Sequence, residues 1–171
     1  MKTKTIELYD FNELNQEAKD KALSKHNEYN DYPFLEEELS EYLSELLKEA
    51  NINGDGKLNY SLSYCQGDGV CFSGNFEYKN VNFNIEHNGN YYHKNSVTIE
   101  AEEHDDNGDE LRDDVLEVMK AEFTDAYKEI CDKIEKRGYL AIEYEQSEEN
   151  FKEMCEANEY TFRENGEMEN F

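Results

Sequence analysis

Lys57-Leu-Asn-Tyr-Ser-Leu-Ser-Tyr-Cys-Gln-Gly-Asp-Gly-Val-Cys-Phe-Ser-Gly-Asn-Phe-Glu-Tyr78 decides the fold class. Leu58, Tyr60, Leu62 and Tyr64 alternate with small or polar residues. Val70, Phe72, Gly74, Phe76 and Tyr78 do the same. Period-two alternation marks strands buried on one face. Gln66-Gly67-Asp68-Gly69 holds residues that tolerate positive φ, so the chain is expected to reverse there. The register that suits both apolar sets puts Tyr64 opposite Phe72, Tyr60 opposite Phe76 and Cys65 opposite Cys71.

The sheet continues beyond Tyr78. Lys79-Asn80 is a two-residue turn of the kind hairpins favour. The apolar parity flips across it to Val81, Phe83 and Ile85, which such a turn requires. Asn88-Gly89 signals another turn, and Val97, Ile99 and Ala101 end a fourth strand. An acidic loop, Glu102 to Glu110, is expected next.

Helices flank this sheet. Lys4 to Tyr9 reads as a short strand carrying Ile6 and Leu8. Asn12 or Asn15 then caps a helix to about Asn30, with a thin stripe of Leu14, Ala18, Ala22 and Tyr29. Pro33 suits the first turn of a second helix. Leu35, Leu39, Tyr42, Leu43, Leu46, Leu47 and Ala50 give it a strong buried stripe. Asn53-Gly54-Asp55-Gly56 is expected to end it. Leu111 to Ile134 carries a long amphipathic pattern; Gly138 ends that helix or lies inside it, and Tyr139 to Glu145 fits helix or strand. Ser147 caps a further helix to about Asn158, and Tyr160 and Phe162 form a last strand. The order β-αα-ββββ-αα-β predicts an α+β fold: a four- to five-stranded, mostly antiparallel sheet with helices on one face. One domain over 1–171 is expected.

The chain has 171 residues and a formal charge of −25. Small soluble domains do well with a magnitude of roughly 2–8, so this surface repels itself strongly. Periodic Tyr and Phe argue against disorder. No apolar run is long enough to span a bilayer, and no secretory signal is seen. Four scattered cysteines suit a reduced, cytoplasmic setting. The acidity argues against binding nucleic acid or anionic lipid directly.

Asn51, Asn53 and Asp55 stand where a calcium loop places its first ligands, but the closing carboxylate position is Leu62. A helix stop and turn is the better reading. Asp105, Asp106, Asn107, Asp109 and Glu110 fit a solvated turn better than a cation site. Cys65, Cys71, His87 and His93 are spaced too widely for a zinc knuckle. The glycine-rich loop lacks the lysine and helix of a phosphate loop. No catalytic constellation stands out, so neither an enzyme nor a cofactor is expected; an enzyme acting on a host defence signal would have to use the polar sheet face and this loop.

The acidic surface carries more. Outside its apolar stripe the second helix shows Glu36, Glu37, Glu38, Glu41, Glu45 and Glu49. At about 1.5 Å per residue these span roughly 20 Å. One strand of duplex DNA carries a charge about every 3.4 Å, a comparable density. Glu37, Glu41 and Glu45 form one row. A second concentration runs through Glu100, Glu102, Glu103, Asp105, Asp106, Asp109, Glu110, Asp113, Asp114 and Glu117. Such surfaces can fill a groove built for a phosphate backbone, with binding steered by charge and weakened by salt. An ordinary solvated helix in an acidic protein is the plain alternative.

Three segments carry a resemblance. Glu7-Leu-Tyr-Asp-Phe-Asn-Glu-Leu-Asn-Gln-Glu-Ala-Lys-Asp-Lys-Ala22 resembles the opening of a group of small acidic bacteriophage and mobile-element proteins. Tyr64-Cys-Gln-Gly-Asp-Gly-Val-Cys-Phe-Ser-Gly74 is similar to their internal motif, and Asn158-Glu-Tyr-Thr-Phe-Arg-Glu-Asn-Gly166 to their closing segment. The group has no common activity to transfer, so the resemblance implies no catalytic residues. It implies a phage-like setting, the host cytoplasm, and an inhibitor of a host defence nuclease such as a CRISPR effector or a restriction enzyme. A calcium-responsive or structural accessory domain is the alternative function.

Overall fold

Asn15, Ser147 and the Lys79-Asn80 turn each punctuate the chain as their chemistry requires. In the computed structural model, which describes residues 5–105 and 112–169 with the side chains of 103–105 excepted, the Asn15 side chain accepts from the Ala18 N–H at 3.0 Å. The Ser147 hydroxyl accepts from the Asn150 N–H at 3.1 Å. Both are N-caps. Lys79 and Asn80 take φ of 51° and 62°, as a type I′ hairpin turn demands.

The elements are β1 (Tyr9–Asp10), a 3-10 turn (Phe11–Glu13), α1 (Gln16–Glu28), α2 (Leu35–Glu49), β2 (Ile52–Ser61), β3 (Gly69–Tyr78), β4 (Val81–His87), β5 (Val97–Asp105), α3 (Asp113–Glu145), α4 (Glu148–Ala157), β6 (Thr161–Phe162) and β7 (Met168–Glu169). The protein is α+β, close to the order expected, with one further strand at the end and two sheets where one was expected. All strand pairs are antiparallel. β2-β3-β4-β5 form one sheet; β1-β6-β7 form a second, small one, so the terminal strands pair with each other.

The backbone groups into two compact units: residues 1–33 with 140–171, and residues 34–139. In the first, Phe11, Phe151 and Phe162 form the core with Leu14, Ala18, Ala22 and Cys155. The Phe11 and Phe151 rings meet edge to face at 5.1 Å, a favoured aromatic geometry. The thin stripe of α1 is therefore sufficient, because aromatic rings from elsewhere fill the space against its alanines. His26 stacks on Phe151 at 4.7 Å, and burial holds its imidazole below its ordinary pKa. Two expectations fail here. Residues 5–8 are not a strand, and Ile6 is 44% exposed. Tyr29 lies outside the helix and faces solvent.

In the second unit α2 and α3 lie on one face of the four-stranded sheet. Leu35, Leu39, Leu43, Leu46 and Leu47 of α2 are buried, as their spacing predicts, and Pro33 stands just before its first turn. Phe123 of α3 stacks on Phe83 at 4.0 Å with the ring planes 7° apart, and Tyr127 meets Phe72 at 4.5 Å. The buried Tyr127 hydroxyl accepts from the Phe72 N–H and donates to its carbonyl, both at 3.3 Å. Burial raises its pKa far above the usual tyrosine value. Gly138 lies inside α3, and residues 139–145 are helical. A Cβ on Gly138 would lie 2.4 Å from Leu62 Cδ1 and 3.3 Å from Leu39 Cδ1, so the bare backbone lets both leucines reach α3.

The central hairpin corrects the sequence reading. β2 starts at Ile52, and Leu58 pairs with Phe72, Tyr60 with Val70, and Gly54 with Phe76. The expected register is wrong by six residues. Asn53-Gly54-Asp55-Gly56 is not a helix stop but the first half of a strand. Cys71 faces Asn59, not Cys65; Cys71 is buried and Cys65 exposed. The connection is correspondingly longer, running from Leu62 to Asp68.

Candidate functional site: an acidic helix beside a tyrosine-lined loop

Helical geometry places the α2 carboxylates. With the leucines turned to the sheet, Glu36, Glu37, Glu41, Glu45 and Glu49 are exposed. Three glutamates in the first turn also favour the helix, because they oppose the positive end of its dipole. Glu37, Glu41 and Glu45 are each about 6 Å apart along the axis. Among the described residues no amine or guanidinium forms an ion pair with these three. Glu38 differs. It is half-buried, and the Arg137 Nε donates to it at 2.8 Å, so its charge is largely compensated. Glu49 lies close enough to Lys133 to help hold that amine above its ordinary pKa, after the larger effect of Glu129.

The second acidic concentration divides. Glu100 and Glu102 are on β5 and exposed; Glu103 and Asp105 belong to the same strand and not to the expected loop. Asp106, Asp109 and Glu110 lie outside the described residues. Asp113 is exposed at the start of α3, and Asp114 pairs with Arg112 at 3.6 Å.

The face of the sheet away from the helices is polar. Asn53, Asn75, Glu77, Asn82, Asn84 and Glu102 line a cavity of about 330 Å³. Asn84 donates to Asn75 at 2.8 Å, and Asn82 donates to Glu102 at 3.2 Å. Amides and carboxylates that satisfy one another in this way form a hydrated surface. Asn53 and Asp55 stand on the extended β2, with Asn51 in the turn before it, so they do not share the tight loop that wraps a cation. Among the described residues no three His, Cys, Asp or Glu side chains converge as metal ligands.

Asp68 organises the glycine-rich loop. Its carboxylate accepts from the Ser61 hydroxyl at 2.8 Å, the Ser63 N–H at 2.6 Å, the Cys65 N–H at 2.9 Å and the Tyr139 hydroxyl at 3.3 Å. The Cys65 N–H above all, with the Ser61, Ser63 and Tyr139 donors, holds its pKa below the ordinary carboxylate value. The ionised form is therefore the one the fold prefers, and its contribution is complete at neutral pH and lost as acid protonates it. Asp68→Ala is expected to cost about 2 kcal/mol, reduced from the sum of its bonds because the group is partly solvated. Urea titrations of both proteins should show this gap at pH 7, narrowing below about pH 4. A gap that is constant across that range would mean that the charge is not what the loop uses.

Tyrosines surround this loop. Tyr64 is 62% exposed and its ring lies 4.7 Å from that of Tyr139; Tyr91 is 64% exposed, and Tyr92 is exposed beside it. A Cβ on Gly67 would be 3.0 Å from the Tyr91 ring, so that ring lies directly on the loop backbone. Sequence reasoning missed this cluster, since its members come from three separate segments. Neither a known protein family, a curated protein nor a solved structure matches the chain.

Proposed function

We propose that this protein is a non-enzymatic inhibitor of a basic, nucleic-acid-handling host defence protein, a CRISPR effector or a restriction enzyme, and that it acts by occupying the cationic groove meant for a phosphate backbone. The observation that carries this reading is the row Glu37, Glu41 and Glu45: exposed, collinear and without ion pairs among the described residues, in a chain of charge −25. The resemblance of three segments to small acidic phage proteins supports the setting. Among the described residues no helix is long and apolar enough to cross a membrane. Glu102, Glu103, Asp105, Asp106, Asp109, Glu110 and Asp113 are assigned to a second contact, and Glu38 and Glu49 to the flanks of the first.

The test is inhibition of DNA cleavage by purified CRISPR effectors and restriction endonucleases, measured at low and high salt. The natural chain is expected to inhibit at least one of them, and the inhibition to weaken as salt rises. Glu37→Lys/Glu41→Lys/Glu45→Lys is expected to lose inhibition by 100-fold or more, roughly 1–2 kcal/mol for each reversed charge, with little change in melting temperature. Undiminished inhibition by this variant removes the row from the mechanism. Absence of inhibition across both enzyme classes removes the mechanism itself.

A further inference from the structure

The tyrosine cluster has features that a solvated loop does not need. Its two loops are rigidly built. Asp68 ties the first with four hydrogen bonds. In the second, residues 88–96, Lys94 clamps Asp132 of α3 through both carboxylate oxygens at 2.5 and 2.7 Å. The His87 Nδ1 accepts from the Gly89 N–H at 3.3 Å, which leaves the Nε2 to donate to the Tyr91 carbonyl at 3.0 Å. Rigid loops present large aromatic faces at small entropic cost to a partner. Tyr64 also holds a positive φ of 57°, an uncommon conformation for a bulky side chain. The chain thus keeps a ring outward that a smaller residue could replace with less strain.

Charge selects the occupant. Asp68 accepts from the Tyr139 hydroxyl at 3.3 Å, and Glu135 stands one helical turn before Tyr139 on α3; burial first, and then these carboxylates, raise the Tyr139 pKa. Leu62 of the first loop and Leu39 of α2 both reach Gly138, so the first loop packs on α2 and α3 one residue from Tyr139. Nucleotide bases would bring phosphates into this field and be repelled. A guanidinium is complementary on both counts: it stacks on aromatic faces and pairs with carboxylates. Within the second unit Arg137 shows the arrangement in miniature, lying 5.9 Å from the Tyr42 ring while it pairs with Glu38.

We infer that the Tyr64, Tyr91 and Tyr139 surface is an arginine-selective docking site, at which an arginine-bearing segment of a protein partner stacks on the tyrosines and pairs with Glu135. This rests on the proposed basic partner and adds what kind of cation anchors it. The acidic row attracts Lys and Arg alike by charge; the tyrosines add the stacking that favours Arg.

The test uses the full chain with fluorescently labelled nona-arginine and nona-lysine peptides and a single-stranded oligonucleotide, read by anisotropy at several salt concentrations. Nona-arginine is expected to bind more tightly, by roughly 2- to 5-fold for each engaged tyrosine. Tyr64→Leu/Tyr91→Leu should abolish that preference and leave salt-sensitive binding of both peptides. Tyr64→Phe/Tyr91→Phe should keep it. Glu37→Lys/Glu41→Lys/Glu45→Lys should weaken both peptides together and keep the ratio. Loss of that common weakening would count against the acidic row alone. Equal binding of the two peptides by the natural chain, or a preference unchanged in the leucine variant, overturns the docking site. So does tight binding of the oligonucleotide that depends on the same tyrosines.

Discussion

Phe123→Ala is expected to lose about 3–5 kcal/mol of stability, the range for removing a fully buried aromatic ring from a core. Phe123 is 0% exposed. Its ring stacks on Phe83 and lies 5.8 Å from Tyr78 and 6.5 Å from Phe76. One side chain of α3 therefore touches β3 and β4 on both sides of the Lys79-Asn80 turn. Deleting it leaves a void that these three aromatic neighbours cannot collapse into, because all are already held by the sheet. Chemical denaturation gives the size of the loss, and hydrogen exchange gives its place: amides of β3 and β4 should lose protection. Phe123→Leu should recover about half. A loss under about 1 kcal/mol would mean that α3 does not carry the sheet.

Gly74→Val is expected to cost about 3 kcal/mol or more by a different route. Gly74 pairs with Gly56 and has a φ of 146°, a region that side chains other than glycine rarely enter. A Cβ there would lie 2.6 Å from the Asp55 carbonyl oxygen. That neighbour is backbone and cannot swing aside. The valine must either break the β2–β3 ladder locally or force position 74 out of its positive-φ conformation. Here denaturation should be accompanied by lost protection of β2 amides around Asp55. Gly74→Val melting like the natural chain would mean that the positive φ at this position is dispensable.

The hairpin shows which parts of a sheet can be read from sequence. The Lys79-Asn80 turn was legible because a two-residue connection forces a parity change, and Tyr78 does pair with Val81. The β2–β3 register was not legible. Alternation repeats every two residues, so a slip of six leaves every side chain on its proper face. What distinguished the registers was Gly54 and Gly56, whose missing side chains make room for the Phe76 ring: a Cβ on Gly56 would be 2.9 Å from Phe76 Cζ. Beside Asn53 and Asp55 those glycines imitate a turn. On α2 the exposed row followed from the 3.6-residue period of its leucines. The loss of Glu38 to Arg137 did not, because the two are 99 residues apart. Loop tyrosines have no period at all, and Tyr64 entered the sequence reading as a strand residue.

The distribution of sulfur in the fold has a practical side. Burial pushes the Cys71 and Cys155 thiols up to about 11 and the Cys131 thiol to about 12, so these three are poor nucleophiles at neutral pH. Cys65 alone is exposed, one residue from Tyr64. Maleimide dyes, oxidants and thiol-reactive spin probes are thus channelled to a single sulfur, and the unaltered polypeptide arrives with its own attachment point beside the aromatic loop.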